Sequence, residues 1–405
     1  MRILHTSDWH LGQHFMGRSR QAEHQALIDW LLQQVQQQAV DAVLLAGDIF
    51  DTGAPPSYAR ELYNQLVVRL HDAHCRLILL GGNHDSVATL EESRPLLAYL
   101  GCTVIPAVQE DLSRQLITLH DAAGNPAALL CAVPFIRARD VLQSQAGQSA
   151  EEKQLGLQQA IAAHYQSLYQ LARAHCEALG LQLPILASGH LTTVGASSSE
   201  SVRDIYVGAL DAFPTNAFPP FDYIALGHIH RPQRVGGHAH IRYSGSPLPL
   251  SFDELGQDKQ MLLIETGARA ELNITVLPVP CFQPLASLRG TLAQLQQAIP
   301  QALAGLAADQ HLWLEITVEG DDYLSDLQGR IQAILDGQPA ELLRLRRARS
   351  QQAVSMQSER STLDELSPQE VFERRLQLEE LEAPLAEALR QRYQQVLQQL
   401  QEEQA

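Results

Sequence analysis

Five short polar motifs each follow directly on an apolar run: Asp8-Trp-His10, Gly47-Asp48, Gly82-Asn83-His84-Asp85, Gly189-His190 and Gly227-His228-Ile-His230. Carboxylate, carboxamide and imidazole are hard or borderline ligands for divalent cations. Asp8 and His10 are two residues apart, as are His228 and His230. In extended backbone such pairs point to one side. Asp48, alone between two such groups, is suited to bridge two ions. Two cations about 3.5–4 Å apart polarise a phosphodiester and activate a water together. A single histidine at a strand end is usually structural, so the inference rests on the whole set. His71, His74 and His164 stay ordinary histidines on this reading. His238 and His240, another pair two apart, sit among glycines in what reads as a surface hairpin.

What must position these residues is a set of strand ends. In open α/β sheets, ligand sites gather beyond the carboxyl ends of the strands. Residues 2–6, 41–46 and 77–80 read as strands, and 21–38 and 57–72 as helices with apolar stripes. The alternation implies a sheet with helices on both faces. Further strands are expected at 128–133, 184–188, 223–226, 241–244 and 261–265, with a helix over 150–179. Glycines before Asp48, Asn83, His190 and His228 would let the chain turn sharply there. This first domain spans 1–278 and ends at the proline-rich stretch 278–284. A smaller α+β domain spans 279–349, with strands at 285–289, 311–318 and 340–346 and helices at 291–306 and 323–335. Residues 350–405 form a polar connection and two helices. The first of these opens on a capping box at 367–370. Their apolar stripes include Phe372, Leu376, Leu389 and Val396.

Composition narrows the class. The 405 residues are 45% hydrophobic and 19% charged, enough to bury a core in each domain. Five scattered cysteines without a C-x-x-C pair argue against a disulfide framework and a thiolate zinc site, and suit a reducing cytosol. The N-terminus carries no secretory pattern. No run approaches the roughly 18 apolar residues that span a bilayer. A net charge of -17 argues against a protein that coats nucleic acid unaided. Positive charge at a phosphate would have to come from bound cations, local arginines or a partner.

The order D-x-H, G-D, G-N-H-D, G-H, G-H-x-H resembles the calcineurin-like metallophosphoesterase superfamily. The stretches 6–12, 47–53, 189–195, 202–208 and 245–252 are similar to its SbcD branch of bacterial exonuclease subunits. The resemblance implies an α/β fold: a metallophosphoesterase β-sandwich flanked by helices, a small α+β capping domain and C-terminal partner-binding helices. It implies that Asp8, His10 and His230 hold one metal, that Asn83, His190 and His228 hold the other, and that Asp48 bridges them. His84 would face the scissile phosphate and serve the leaving oxygen, with Asp85 orienting it from behind. The implied cofactors are two divalent ions, manganese(II) by preference.

The implied activities are 3′ to 5′ double-strand exonuclease and hairpin or single-strand endonuclease, in DNA repair, replication and recombination. The implied partner is the SMC-like ATPase SbcC, docked by the C-terminal helices, with two copies of each protein in the cytoplasm. The helices after Pro56 and near 90–100 would pair the two nuclease subunits. Arg344, Arg346, Arg347 and Arg349 are candidate phosphate contacts. The same motifs also serve phosphatases and small-molecule phosphodiesterases, which remain the alternative.

Overall fold

In the computed structural model, the described residues are 1–142, 149–199, 201–202, 212–267, 272–307, 310–320 and 326–348, with positions 389, 392 and 393. The capping box at 367–370, most of the two C-terminal helices and Arg349 lie outside them.

Apolar runs of four to six residues form the inner strands of two sheets. One sheet contains β1 (Arg2–Thr6), β2 (Ala42–Ala46), β3 (Arg76–Leu80) and β4 (Cys102–Ile105), all parallel. The second contains β5 (Leu116–His120), β6 (Pro126–Cys131), β7 (Ile185–His190), β8 (Tyr223–Gly227), β9 (Gln233–Val235) and β10 (His238–Tyr243). Its order is β9-β10-β8-β7-β6-β5, parallel except at the two edges. The chain then returns to the first sheet with β11 (Gln260–Thr266), antiparallel to β1, and β12 (Leu272–Pro278) outside it.

The two sheets pack face to face. Ile3, Ala42, Leu44, Ile78 and Leu80 meet Leu119, Ala128, Leu130, Leu186 and Ala225 in one core. The alternate residues Leu4, Val43, Leu45, Leu77 and Leu79 point the other way. They pack on α1 (Gln21–Gln37) and α2 (Ser57–Asp72) through Leu27, Leu31, Leu62 and Leu66. On the outer face of the second sheet lies α3 (Ala150–Leu179), with Leu157, Ile161, Tyr165 and Leu168. Ser149 and Glu152 cap α3 reciprocally, and Gly180 ends it in left-handed backbone.

Each sheet therefore has helices on one face only and the other sheet on its second face. This corrects the expectation of a single sheet covered by helices on both sides. A continuous apolar run says that both faces of a strand are covered, but not by what.

After residue 278 the elements follow in the expected order. Strands β13 (Leu285–Gly290), β14 (Leu312–Val318) and β15 (Ala340–Arg347) form a parallel sheet. Helices α4 (Leu292–Leu303) and α5 (Leu327–Leu335) close a separate core around Leu295, Ile299, Leu314, Ile316 and Ile331. This unit rests on the first through Trp313, which stacks on Phe15 at 5.8 Å, and through an Arg18–Glu341 ion pair. Among the described residues no helix is long and apolar enough to cross a membrane.

Ile78 is fully buried between the sheets. Ile78→Ala should destabilise the first unit by about 2–5 kcal/mol, because it removes buried methyl groups and leaves a cavity. Urea unfolding of the purified chain measures this.

Candidate metal centre

The parallel strands β1, β2 and β3 of one sheet and β7 and β8 of the other end at a common edge, and their loops interlock there. Asp8 N donates to Gly47 O at 3.0 Å, and Trp9 N and His10 N both donate to Asp48 O. The first two motifs thus run side by side. The sheets are tied across the edge by His228 N, which donates to Asp8 Oδ1 at 2.8 Å, and by His190 Nδ1, 2.9 Å from Ala46 O. The third motif joins through His84 N, which donates to Asp48 Oδ1 at 2.9 Å.

The backbone at these positions is unusual. Asp8, His10, Asp48 and His228 have φ of 55°, 48°, 52° and 91°. Side chains other than glycine rarely occupy that left-handed region, at a cost of about 1–3 kcal/mol each. The Asp8/His10 and His228/His230 pairs therefore converge by tight turning, not by the extended geometry expected from their spacing. The glycines also differ from expectation. Gly47 does turn the chain at φ 94°, but Gly82 has no positive φ. It is required because a Cβ there would fall on the Asp48 carboxylate.

All seven candidate ligands meet in this pocket. Ligand atoms of Asp8, His10 and His230 lie within 4.8 Å of one another, as do those of Asp8, Asp48 and His190. Asn83 Oδ1 is 2.9 Å from His190 Nε2 and 3.2 Å from His228 Nδ1. Asp48 Oδ2 is 3.3 Å from His190 Nε2 and 3.6 Å from His10 Nε2, so it stands between the two groups.

The donor set fits divalent cations. His10 Nδ1 is held by Asp51 Oδ1 at 3.2 Å, while its Nε2 is buried without a hydrogen-bond partner among the described residues. His190 uses Nδ1 on Ala46 O, and His230 uses Nδ1 on Ser201 Oγ at 2.6 Å. An imidazole with its outer nitrogen occupied and its inner one turned to a cluster of carboxylates is arranged as a metal ligand.

Electrostatics point the same way. For His190, burial disfavours the charged form, but the Asp48 charge and hydrogen bond prevail and push its pKa up to about 9. His10 is also raised: burial opposes this, and Asp51, Asp48 and Asp8 outweigh it. Asp48 is held well below the carboxylate range despite its burial, chiefly by His190. Burial and the neighbouring His190 push His228 down. The buried carboxylates thus recruit protons onto His190 and His10, positive charge that divalent cations would supply instead.

His84 is partly exposed, its ring 4.6 Å from that of His10 and its Nδ1 2.7 Å from Asp51 O. Asp85, expected to orient His84, accepts instead from Gly82 N, Phe50 N and Ile49 N. Its carboxylate locks the second and third motifs together, and burial with the nearby Asp48 raises its pKa to about 6.

Sequence reasoning missed four supports: Ser7, whose Oγ donates to Asp8 Oδ2, Asp51, Ser201 and Glu254. Only Asp51 carried a signal, three residues after Asp48. Of the arginine run, Arg344 and Arg346 lie against Glu315 at 3.3 and 3.6 Å.

The family described as "Calcineurin-like phosphoesterase" matches residues 1–232, and the one described as "Type 5 capsule protein repressor C-terminal domain" matches 281–380. The SbcD component of the nuclease SbcCD of Escherichia coli (strain K12) is 52% identical over 384 residues, 94% of each chain. The SbcD component from Rhodobacter capsulatus is 34% identical, covering 92% of this chain and 93% of that one. The Bacillus subtilis one is 28% identical, covering 80% and 81%. A solved dimetal phosphatase from Danio rerio aligns over 69% of this chain and 98% of that one at 12% identity, with a TM-score of 0.37, too loose to argue from.

Two outcomes follow from this geometry. Gly82→Ala should displace Asp48 and lower cation content, read by elemental analysis of the purified protein. Manganese(II) loading at pH 7.5 should release a proton from His190, and affinity should rise with pH toward about 9. Calorimetry in two buffers of different ionisation heat counts the protons, and a count of zero contradicts the assignment.

Proposed function

The chain belongs to the SbcD family of nuclease subunits within the calcineurin-like phosphoesterases, and from that membership we propose that it hydrolyses DNA phosphodiester bonds with two cations held around Asp48. What carries the nuclease reading over a phosphatase is kinship to a nuclease component along 94% of both chains, including the part after residue 278.

In this reading Asp8, His10 and His230 would hold one cation, Asn83, His190 and His228 would hold the other, and Asp48 would be shared between them. Manganese(II) suits this mixture of oxygen and nitrogen donors. Cations held there would supply Lewis acidity to a phosphodiester and to the water that attacks it. The protein's own groups do the rest. With Nδ1 donating to Asp51 O, a protonated His84 presents Nε2–H to the leaving oxygen. Asp85 is a positioning residue that fixes the loop on which His84 stands. Arg137, with its Nη1 buried without a partner among the described residues and its Nη2 3.5 Å from Asp85 O, adds positive charge beside that loop.

The reading extends to the assembly. Residues 1–278 are the nuclease domain, 279–349 the capping domain, and 350–405 the linker and helices that dock on SbcC. Two copies of each protein act in the cytoplasm, with 3′ to 5′ exonuclease and hairpin-opening endonuclease activity in DNA repair, replication and recombination. The SbcC partnership also answers the charge of -17, because a partner can supply the positive charge that this chain's net balance does not.

The test is manganese-dependent degradation of a labelled DNA hairpin, run beside a chromogenic phosphomonoester. Cleavage of the hairpin is expected, and turnover of the monoester alone would reverse the assignment. His84→Ala should keep both cations and lose about 100-fold or more in cleavage rate. Undiminished turnover in that variant would remove His84 from the reaction.

A further inference from the structure

Behind His230 lies a buried polar cluster that the reaction does not touch. Glu254 is fully buried on the single turn Phe252–Glu254. Its Oε1 accepts from Ser201 Oγ at 2.5 Å and from Ser199 Oγ at 2.9 Å. Its Oε2 accepts from Lys259 Nζ at 2.5 Å and from Leu250 N at 3.1 Å. Lys259 is itself buried, and its Nζ also donates to His230 O at 3.3 Å.

The Ser201 hydroxyl has one hydrogen and three close neighbours, Glu254 Oε1 at 2.5 Å, His230 Nδ1 at 2.6 Å and Ser199 Oγ at 2.9 Å, and Ser199 Oγ donates its own hydrogen to Glu254 Oε1. Glu254 is an ionised acceptor, so the hydroxyl donates to it. Ser201 Oγ must then accept from His230, which puts the ring proton on Nδ1. That leaves the Nε2 lone pair facing Asp8 and His10.

The bland account is a salt bridge that staples three segments. Burying an ion pair is costly, and on stability alone well-packed apolar residues often serve as well. A staple would not need contacts to both the ring and the carbonyl of one histidine. His230 also needs outside support, since it stands two residues after His228, whose backbone is held at φ 91°.

We propose that Glu254 and Lys259 form a positioning device for His230: Glu254, through Ser201, fixes the ring so that Nε2 presents its lone pair to a cation, and Lys259 holds the main chain beneath it. The proposal rests on the two-cation reading above, with His230 as a ligand.

The experiment measures manganese(II) binding to the metal-free full-length chain by calorimetry, and thermal unfolding of the same samples. Wild type, His230→Ala, Ser201→Ala and the double variant Glu254→Gln/Lys259→Met are compared. The double variant removes both charges, so no lone charge is left buried. Wild type should take two ions and His230→Ala one. The double variant should take two, with one site weakened about 10–100-fold and the midpoint of unfolding nearly unchanged. Ser201→Ala should weaken the same site by a smaller factor. Wild-type affinity at both sites in the double variant and in Ser201→Ala would overturn the proposal. Should the double variant fail to fold, Ser201→Ala decides alone. If wild type does not take two ions, or His230→Ala keeps both, the two-cation reading itself fails and takes this proposal with it.

Discussion

Asp8, Asp48 and Asp85 are three carboxylates buried side by side at the edge of a sandwich, and the rest of the site follows from how their charge is met. An isolated carboxylate moved into a protein interior would sooner take up a proton than stay ionised. Each of these has a different answer. Asp85 takes three backbone N–H groups and drifts toward neutrality, with a pKa of about 6. Asp8 takes the Ser7 hydroxyl and the His228 N–H. Asp48 stays ionised because His190 and His10 stand beside it. A divalent cation held there would take the place of those ring protons and add Lewis acidity.

That arrangement demands two sheets with coincident carboxyl edges. The ties from His228 N to Asp8 and from His190 Nδ1 to Ala46 O both run from the second sheet to the first. Neither could form if the sheets were offset by a strand width of about 4.8 Å. The shared core of Ile3, Leu44, Ile78, Leu130 and Ala225 fixes that offset. Burial of many such side chains offsets the left-handed backbone at Asp8, His10, Asp48 and His228. The strain is concentrated where the candidate ligands are, and the core that sustains it lies one layer below.

The set of residues that meets at the shared edge was legible because chemically apt side chains recur at strand ends, a local pattern. The small parallel unit was legible too, since its strands and helices alternate with clear periodicity over 285–347. Other features depend on contacts that no local pattern records. The run at 42–46 says nothing about whether a helix or a second sheet covers Leu44. Strand β12, with alternate residues exposed at the sheet edge, lacked an apolar run and was missed. The left-handed turns at Asp8 and His10 are set by Asp48 O, which receives the amide N–H groups of Trp9 and His10. Glu254 sits in an unremarkable Phe-Asp-Glu-Leu stretch, and only folding sets it against Ser201.

The turn that carries Glu254 also carries Phe252, and Phe252 packs on Phe15 at 5.0 Å, beneath the stack with Trp313. The seat of the second unit and the support of His230 are thus two residues apart on one short turn. Phe15 belongs to the hairpin His14–Phe15/Arg18–Ser19, only four residues past His10. Among the described residues, His10 is thus tied to the second unit through the hairpin that follows it, and His230 through the turn of Glu254 that backs it. The part of the site nearest these two histidines therefore leans on the surface where the two units meet.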